Sequence, residues 1–152
     1  MDEKSNHSRY PPNQKPQRPA VNQNYEDSEL TSKIIGCAMQ VHRKVGCGFQ
    51  EVIYQRSLAV ELKKAGICFE REFEMPIYYD EERVGSRRVD LLVEGRIPVE
   101  LKAVVELDDV HLAQAKNYLE AYKLRVGLLI NFGGPSLQFR RLINSKGKPG
   151  LH

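Results

Sequence analysis

A chain of 152 residues with a formal net charge of +3 and 28% charged residues fits one domain with an ordinary buried core. No apolar run approaches the roughly 20 residues a membrane helix needs, and the three cysteines, Cys37, Cys47 and Cys68, form no C-x-x-C pair. A membrane span, a disulfide framework and a zinc knuckle are therefore not expected, and a reducing, cytoplasmic setting fits best. So mild a charge neither identifies nor excludes a nucleic-acid partner.

Residues 1–27 are polar, with Pro11, Pro12, Pro16 and Pro19, four basic and four acidic side chains, and no apolar h-region. They read as a disordered tail rather than a signal peptide, because they cannot bury enough surface to offset chain entropy. A folded domain is expected over residues 28–144, followed by a frayed C-terminal tail over 145–152. Ser28 or Asp27 can cap a first helix from about Glu29 to Val45, where Ile34, Ala38, Val41 and Val45 share one face. His42, near that stripe, reads as a hydrogen-bonded packing residue. Gly46 and Gly48 break the helix, and a second runs from about Gln50 to Ala65 before stopping at Gly66.

The period then changes. Ile67 to Tyr79 is aromatic and β-branched and predicts a strand, with Pro76 marking an edge or bulge. Asp80-Glu81-Glu82 predicts a turn, Arg83 to Val93 a second strand, Glu94-Gly95-Arg96 another turn, and Ile97 to Val104 a third strand. Asp108 or Asp109 can cap a helix reaching Tyr122. Arg125 to Asn131 is a continuous apolar run, as expected for a strand covered on both faces. After Gly133-Gly134-Pro135, Leu137 to Ile143 is a last strand. The order α-α-β-β-β-α-β-β predicts an α/β fold with a mixed sheet of about five strands flanked by helices.

The chemistry is concentrated in the hairpin. Glu100 and Lys102 are two apart on a strand and so face the same way. A three-residue Glu94-Gly95-Arg96 turn pairs Val93 with Ile97 and sets Asp90 directly opposite Glu100, whereas a two-residue turn would put the two carboxylates on opposite faces. Opposed carboxylates repel unless a cation lies between them, and a hard ion such as Mg²⁺ or Mn²⁺ takes such oxygen ligands. Lys102 beside them could orient a water or stabilise charge on a phosphate. Glu-x-Lys is also common on solvated strands. Here, however, Leu91, Leu92, Val93, Leu101, Ala103 and Val104 make unpaired charge costly.

Two helices add candidates. Glu51 shares a stripe with Tyr54, Leu58 and Leu62, and it is either a core-facing carboxylate seeking a cation or an exposed first-turn acid favoured by the helix dipole. His111, Gln114 and Tyr118 share a face of the third helix and could contact a phosphate, a base or a water. His111 on its own reads first as a satisfied surface histidine rather than a ligand. Arg87, Arg88, Lys116, Arg140 and Arg141 are candidate phosphate contacts, with only one of each adjacent arginine pair able to face a groove.

Gly48-Phe49-Gln50-Glu51-Val52-Ile53-Tyr54 resembles the G-x-x-E-x-x-Y signature of the GxxExxY proteins, a group of the PD-(D/E)XK nuclease-like superfamily. The resemblance continues through Val89 to Val93, Val99 to Ala103, Gln114 to Tyr118 and Gly127 to Gly133, covering about Glu29 to Ile143. It implies a restriction-endonuclease-like core with Asp90 and Glu100 as metal ligands, Lys102 as the catalytic lysine and Glu51 as a helix glutamate near the metal. Gln114 and Tyr118 resemble a Q-x-x-x-Y element, and Val89 stands where the proline of the "PD" pair would be. The expected function is a metal-dependent phosphodiesterase acting on nucleic acid, DNA first. The site set is Asp90, Glu100, Lys102 and Glu51, with substrate contacts from Gln114, Tyr118, His111 and Tyr54. A nuclease-fold module that binds nucleic acid or protein without cutting is the alternative, and a homodimer formed through the apolar hairpin is a third reading.

Overall fold

The computed structural model describes residues 23–146. Its elements are α1 (Gln23–Val45), α2 (Glu51–Lys64), β1 (Phe69–Tyr79), β2 (Glu82–Val93), β3 (Ile97–Lys102), α3 (Asp109–Tyr122), β4 (Val126–Asn131) and β5 (Gln138–Ile143). The order is the one the sequence predicts. The five strands form one sheet in the order β1-β2-β3-β4-β5, antiparallel except for the parallel β3–β4 pair that α3 connects. This is an α/β, restriction-endonuclease-like architecture.

Two apolar clusters divide the core. Residues of α1 and α2 (Ile34, Ala38, Tyr54, Leu58, Leu62) meet Leu91, Val93, Ile97, Val99, Leu101, Leu128 and Ile130 in the first. Tyr118 and Leu119 of α3 meet Met75, Val89, Leu92 and Leu124 in the second. β4 is buried along its whole length, which explains its unbroken apolar run.

The first helix starts earlier than its sequence signals suggest. Asp27, expected as a cap or as the end of a tail, lies inside α1 and is 3% exposed. Its carboxylate accepts from Arg96 Nε at 3.0 Å and from Arg125 Nη2 at 3.1 Å. The ionic partners come from the β2–β3 turn and the approach to β4, distant in sequence, so no local pattern announces them. Residues 1–22 and 147–152, where the tails were expected, lie outside the described residues.

The turn that decides the site's register has three residues. Val93 pairs with Ile97, and Arg96 N–H donates to Val93 C=O at 3.0 Å. Glu94 and Gly95 take φ of 55° and 69°, a left-handed pair that Gly95 adopts at little cost. The Glu94 carboxylate also accepts from Cys68 N–H at 3.1 Å, holding the tip of the hairpin to the start of β1.

The chain leaving β3 is locked by a buried amide. Asn131 is fully buried. Its Oδ1 accepts from Val104 N–H (2.9 Å) and Gly133 N–H (3.0 Å), and its Nδ2 donates to Val104 C=O (3.0 Å) and Gln138 Oε1 (2.9 Å). These bonds draw the backbone so close that a Cβ on Gly133 would lie 2.2 Å from Val104 O and 2.4 Å from Val104 N. Backbone atoms cannot swing aside as a flexible side chain can. Gly133→Ala should therefore destabilise the domain by roughly 3 kcal/mol or more, read as a lowered urea midpoint. An unchanged midpoint would show that the backbone here can shift freely.

Candidate active site

Asp90 sits where the sheet's alternation breaks. Leu91 and Val93 belong to the first cluster, yet Val89 belongs to the second. Across from Asp90, the paired run of β1 skips Glu72, whose φ is +51°. The β2–β3 pairs run from Val93↔Ile97 to Leu91↔Val99, which leaves Asp90 and Glu100 facing each other one step on. There the Asp90 side chain takes over from the backbone ladder. Its Oδ2 accepts from Leu101 N–H at 2.8 Å, and its Oδ1 accepts from Gln55 Nε2 at 3.1 Å.

Gln55 is in turn oriented by Arg71, whose Nη1 donates to Gln55 Oε1 at 3.3 Å. The chain Arg71, Gln55, Asp90 fixes the amide with its nitrogen toward the carboxylate. Gln55 was not among the residues singled out from sequence. A signal did exist, because this polar residue lies on the buried side of α2 beside Tyr54 and Leu58.

Glu100 is the strained member of the pair. It is 9% exposed, and its Oε2 is buried without a hydrogen-bond partner among the described residues. The nearest cation is Arg87 Nη2 at 3.7 Å, within ionic reach but too far for a hydrogen bond. Burial pushes the Glu100 carboxyl up to about 7, and the negative charge of Asp90 adds to the rise. Arg87 and Lys102 pull the other way without cancelling it, while a hydrogen bond to Asp90 that only the protonated acid can donate favours the neutral form. Two carboxylates at one buried point cannot both be ionised cheaply.

Lys102 closes β3, half-buried, with its backbone oxygen accepting from Phe132 N–H at 2.8 Å. Asp90 and Glu100 meet at one end of the β2–β3 hairpin, and Lys102, two residues on from Glu100, is near enough for its charge to pull the Glu100 carboxyl down. The donor set suits a hard cation, with two convergent carboxylates and an orphaned carboxylate oxygen. Among the described residues, no group of three or more His, Cys, Asp or Glu side chains gathers as a metal shell. Glu51 accordingly does not join the pair. It is exposed on the first turn of α2, one turn from Gln55, so the residue at its i+4 position is the one that reaches Asp90.

Several expected substrate contacts have other work. Tyr54 is fully buried, donating to Gly46 C=O at 2.7 Å and accepting from Phe49 N–H at 3.2 Å, so both functions of its hydroxyl serve the glycine turn. Its ring stacks on Phe132 at 4.6 Å. Tyr54 is thus a core residue rather than a substrate contact. His42 behaves as expected of a packing residue, with Nε2 3.0 Å from Gly134 O. His111 caps α3: its Nδ1 accepts from Asp108 N–H at 3.2 Å while Asp108 Oδ1 accepts from His111 N–H at 3.0 Å. That reciprocal box gives Nδ1 a structural task at the start of α3.

Tyr118 is 2% exposed. Its hydroxyl bonds Met75 Sδ at 2.9 Å, and its ring lies beneath the Arg87 guanidinium, 5.1 Å away. Burial first, and Glu100's charge second, push its phenol well above the ordinary range. Tyr118 therefore supports Arg87 and has no open face for a substrate. Gln114, one turn earlier on α3, is exposed rather than turned toward the sheet.

Of the basic candidates only Arg87 stands at the carboxylates. Arg88 pairs with Glu72 at 3.7 Å. Arg141 donates to Thr31 and Ser32 of α1, and Arg140 to the carbonyl of Phe139, while Lys116 is exposed on α3.

An antiparallel hairpin carrying Asp and Glu-x-Lys, joined through a crossover helix to a buried parallel strand, defines a nuclease-like class. The family model of the PD-(D/E)XK nuclease superfamily matches residues 28–142, and the chain belongs to that superfamily. The crystal structure of SSO0001 is similar at 18% identity and a TM-score of 0.49, covering 80% of this chain and 61% of that one. This chain therefore spans less than two thirds of that protein's length, and a likeness of that grade carries no functional weight. No curated protein matches. Among the described residues no helix is long and apolar enough to cross a membrane.

Proposed function

We propose that the protein is a divalent-metal-dependent phosphodiesterase that hydrolyses nucleic acid, with DNA as its substrate. The observation that carries this reading is the buried Oε2 of Glu100, which accepts no hydrogen bond among the described residues, beside the Asp90 carboxylate. Such an arrangement is costly to stability, because Arg87 and Lys102 do not cancel the burial and like-charge repulsion of the pair. Asp90 and Glu100 would hold Mg²⁺ or Mn²⁺, which supplies Lewis acidity and activation of a water. Lys102 orients the attacking water or stabilises negative charge growing on the phosphate. Leu101 N–H and Gln55 hold the Asp90 carboxylate in place, as outer partners do for metal-binding groups.

Glu51 contributes from the rim, one helical turn from Gln55, and Glu51→Gln is accordingly expected to matter less than Asp90→Asn. Gln114, exposed on α3, remains a proposed substrate contact. Membership of the GxxExxY group and a cytoplasmic location belong to the same reading. The alternative is a module of the same fold that binds nucleic acid or a protein partner without cutting.

The test is incubation of the purified protein with labelled single- and double-stranded DNA and RNA, with Mg²⁺, Mn²⁺ or EDTA. Cleavage that needs the metal and prefers DNA is expected. Folded protein that binds these substrates and Mn²⁺ yet cuts none of them would establish the binding module instead.

A further inference from the structure

Arg87 lies three residues before Asp90 on β2, opposite Met75 of β1. Its side chain is 35% exposed. One face of the guanidinium rests over the Tyr118 ring at 5.1 Å, and one nitrogen is 3.7 Å from Glu100 Oε2. Tyr118 cannot drift, because its hydroxyl bonds Met75 Sδ and its ring packs on Tyr122 at 5.0 Å. Arg87 is thus aimed by a rigid aromatic platform at Glu100 Oε2, without closing a hydrogen bond there. A finished structural ion pair would close that bond and satisfy Oε2. Five N–H donors in a planar fork, on a side chain that is 35% exposed, suit a phosphate equally well.

We propose that Arg87 is a resident counter-cation that neutralises Glu100 in the metal-free protein and transfers to a substrate phosphate when a divalent ion takes over at the carboxylates. Tyr118 is the positioning residue that holds it for both tasks. The proposal deepens the nuclease reading and rests on it. Removing Arg87 leaves Glu100 with one fewer cation in the metal-free state, so that state is destabilised and the incoming ion gains more. Lower metal-free stability and tighter metal binding are two sides of one cycle.

The test compares the wild-type full chain with Arg87→Gln by calorimetric titration of Mn²⁺, melting without metal, and oligonucleotide binding in Ca²⁺ at several salt concentrations. Arg87→Gln should bind Mn²⁺ about 3- to 10-fold more tightly, the scale of one nearby charge partly screened by solvent. Its metal-free Tm should fall. The salt slope of oligonucleotide binding should drop by roughly 0.7 to 0.9, the loss of one phosphate contact. Arg87→Met, which keeps an apolar stem over Tyr118 and removes the charge, should give the same Mn²⁺ and salt results and serves if the glutamine variant does not fold. Unchanged or weaker Mn²⁺ binding, or an unchanged salt slope, overturns the proposal while leaving the nuclease reading intact. Wild-type protein that takes up no Mn²⁺ overturns both.

Discussion

Lys102→Ala should cut nucleic acid at least ~10²-fold more slowly than wild type while binding Mn²⁺ within a few-fold of normal. Asp90→Asn should lose both activities together. The difference follows from where each group acts. Lys102 bears a cation, which is no metal ligand, and its proposed work lies on the water and the developing charge; removing one such donor typically costs 10²- to 10³-fold. Asp90 supplies an anionic oxygen, and the amide that replaces it lacks the charge. Stability has to be followed in parallel. The Asp90 carboxylate accepts from Leu101 N–H and from Gln55 Nε2, whose amide Arg71 has already oriented. An asparagine can meet Leu101 N–H only by turning its own NH₂ against that of Gln55. A loss of roughly 1–3 kcal/mol is expected on that account alone. Binding should therefore be measured well below the melting temperature of each variant. If Lys102→Ala abolishes Mn²⁺ binding as completely as Asp90→Asn, the division of labour is wrong.

The fold was legible where its causes are local. Period changes at Gly66 and Ile67, the Asp108 cap of α3 and the buried run from Val126 to Asn131 each report a neighbour relation a few residues long. The hairpin register was also legible, because three turn residues fix every later pair. What escaped was set by distant partners. Asp27 looked like a cap, and Arg96 and Arg125, brought in by the sheet, pair with it in the interior. Tyr118 and Tyr54 carry polar tips that suggest ligand contact. Their hydroxyls are instead consumed by Met75 and by the Gly46 turn, which nothing in the local sequence states. Gln55 and Glu51 lie on the same helix face, four residues apart, and the chemistry favours the acid. The placement of α2 brings the amide to Asp90. Charge patterns name candidates, and tertiary contacts assign them.

Metal-free Glu100→Gln should melt higher than metal-free wild type at pH 8, and the difference should vanish near pH 4. In the folded chain the Glu100 carboxyl is raised from its ordinary value near 4.5 to about 7, chiefly by burial and then by Asp90. A raised acid binds its proton more tightly when folded, so its contribution to stability is fully present below about 4.5 and is lost as pH climbs through 7. At about 1.4 kcal/mol per pH unit, the loss for Glu100 reaches roughly 3 kcal/mol before allowance for its residual exposure. The neutral glutamine escapes it, which corresponds to a Tm gain on the order of 10 °C for a domain this size. Arg87, then deprived of its carboxylate, is open enough to be hydrated and should offset little of this. Metal reverses the sign, because an ion needs the ionised pair. Mn²⁺ affinity of the wild type should rise nearly tenfold per pH unit below 7 and level off above it, with about one proton released per ion at pH 6. Titration in buffers of different ionisation enthalpy counts that proton directly. A pH-independent affinity, with no proton released, would mean either that Glu100 is already ionised in the metal-free protein or that the ion sits elsewhere, and retention of Mn²⁺ binding by Glu100→Gln would establish the second.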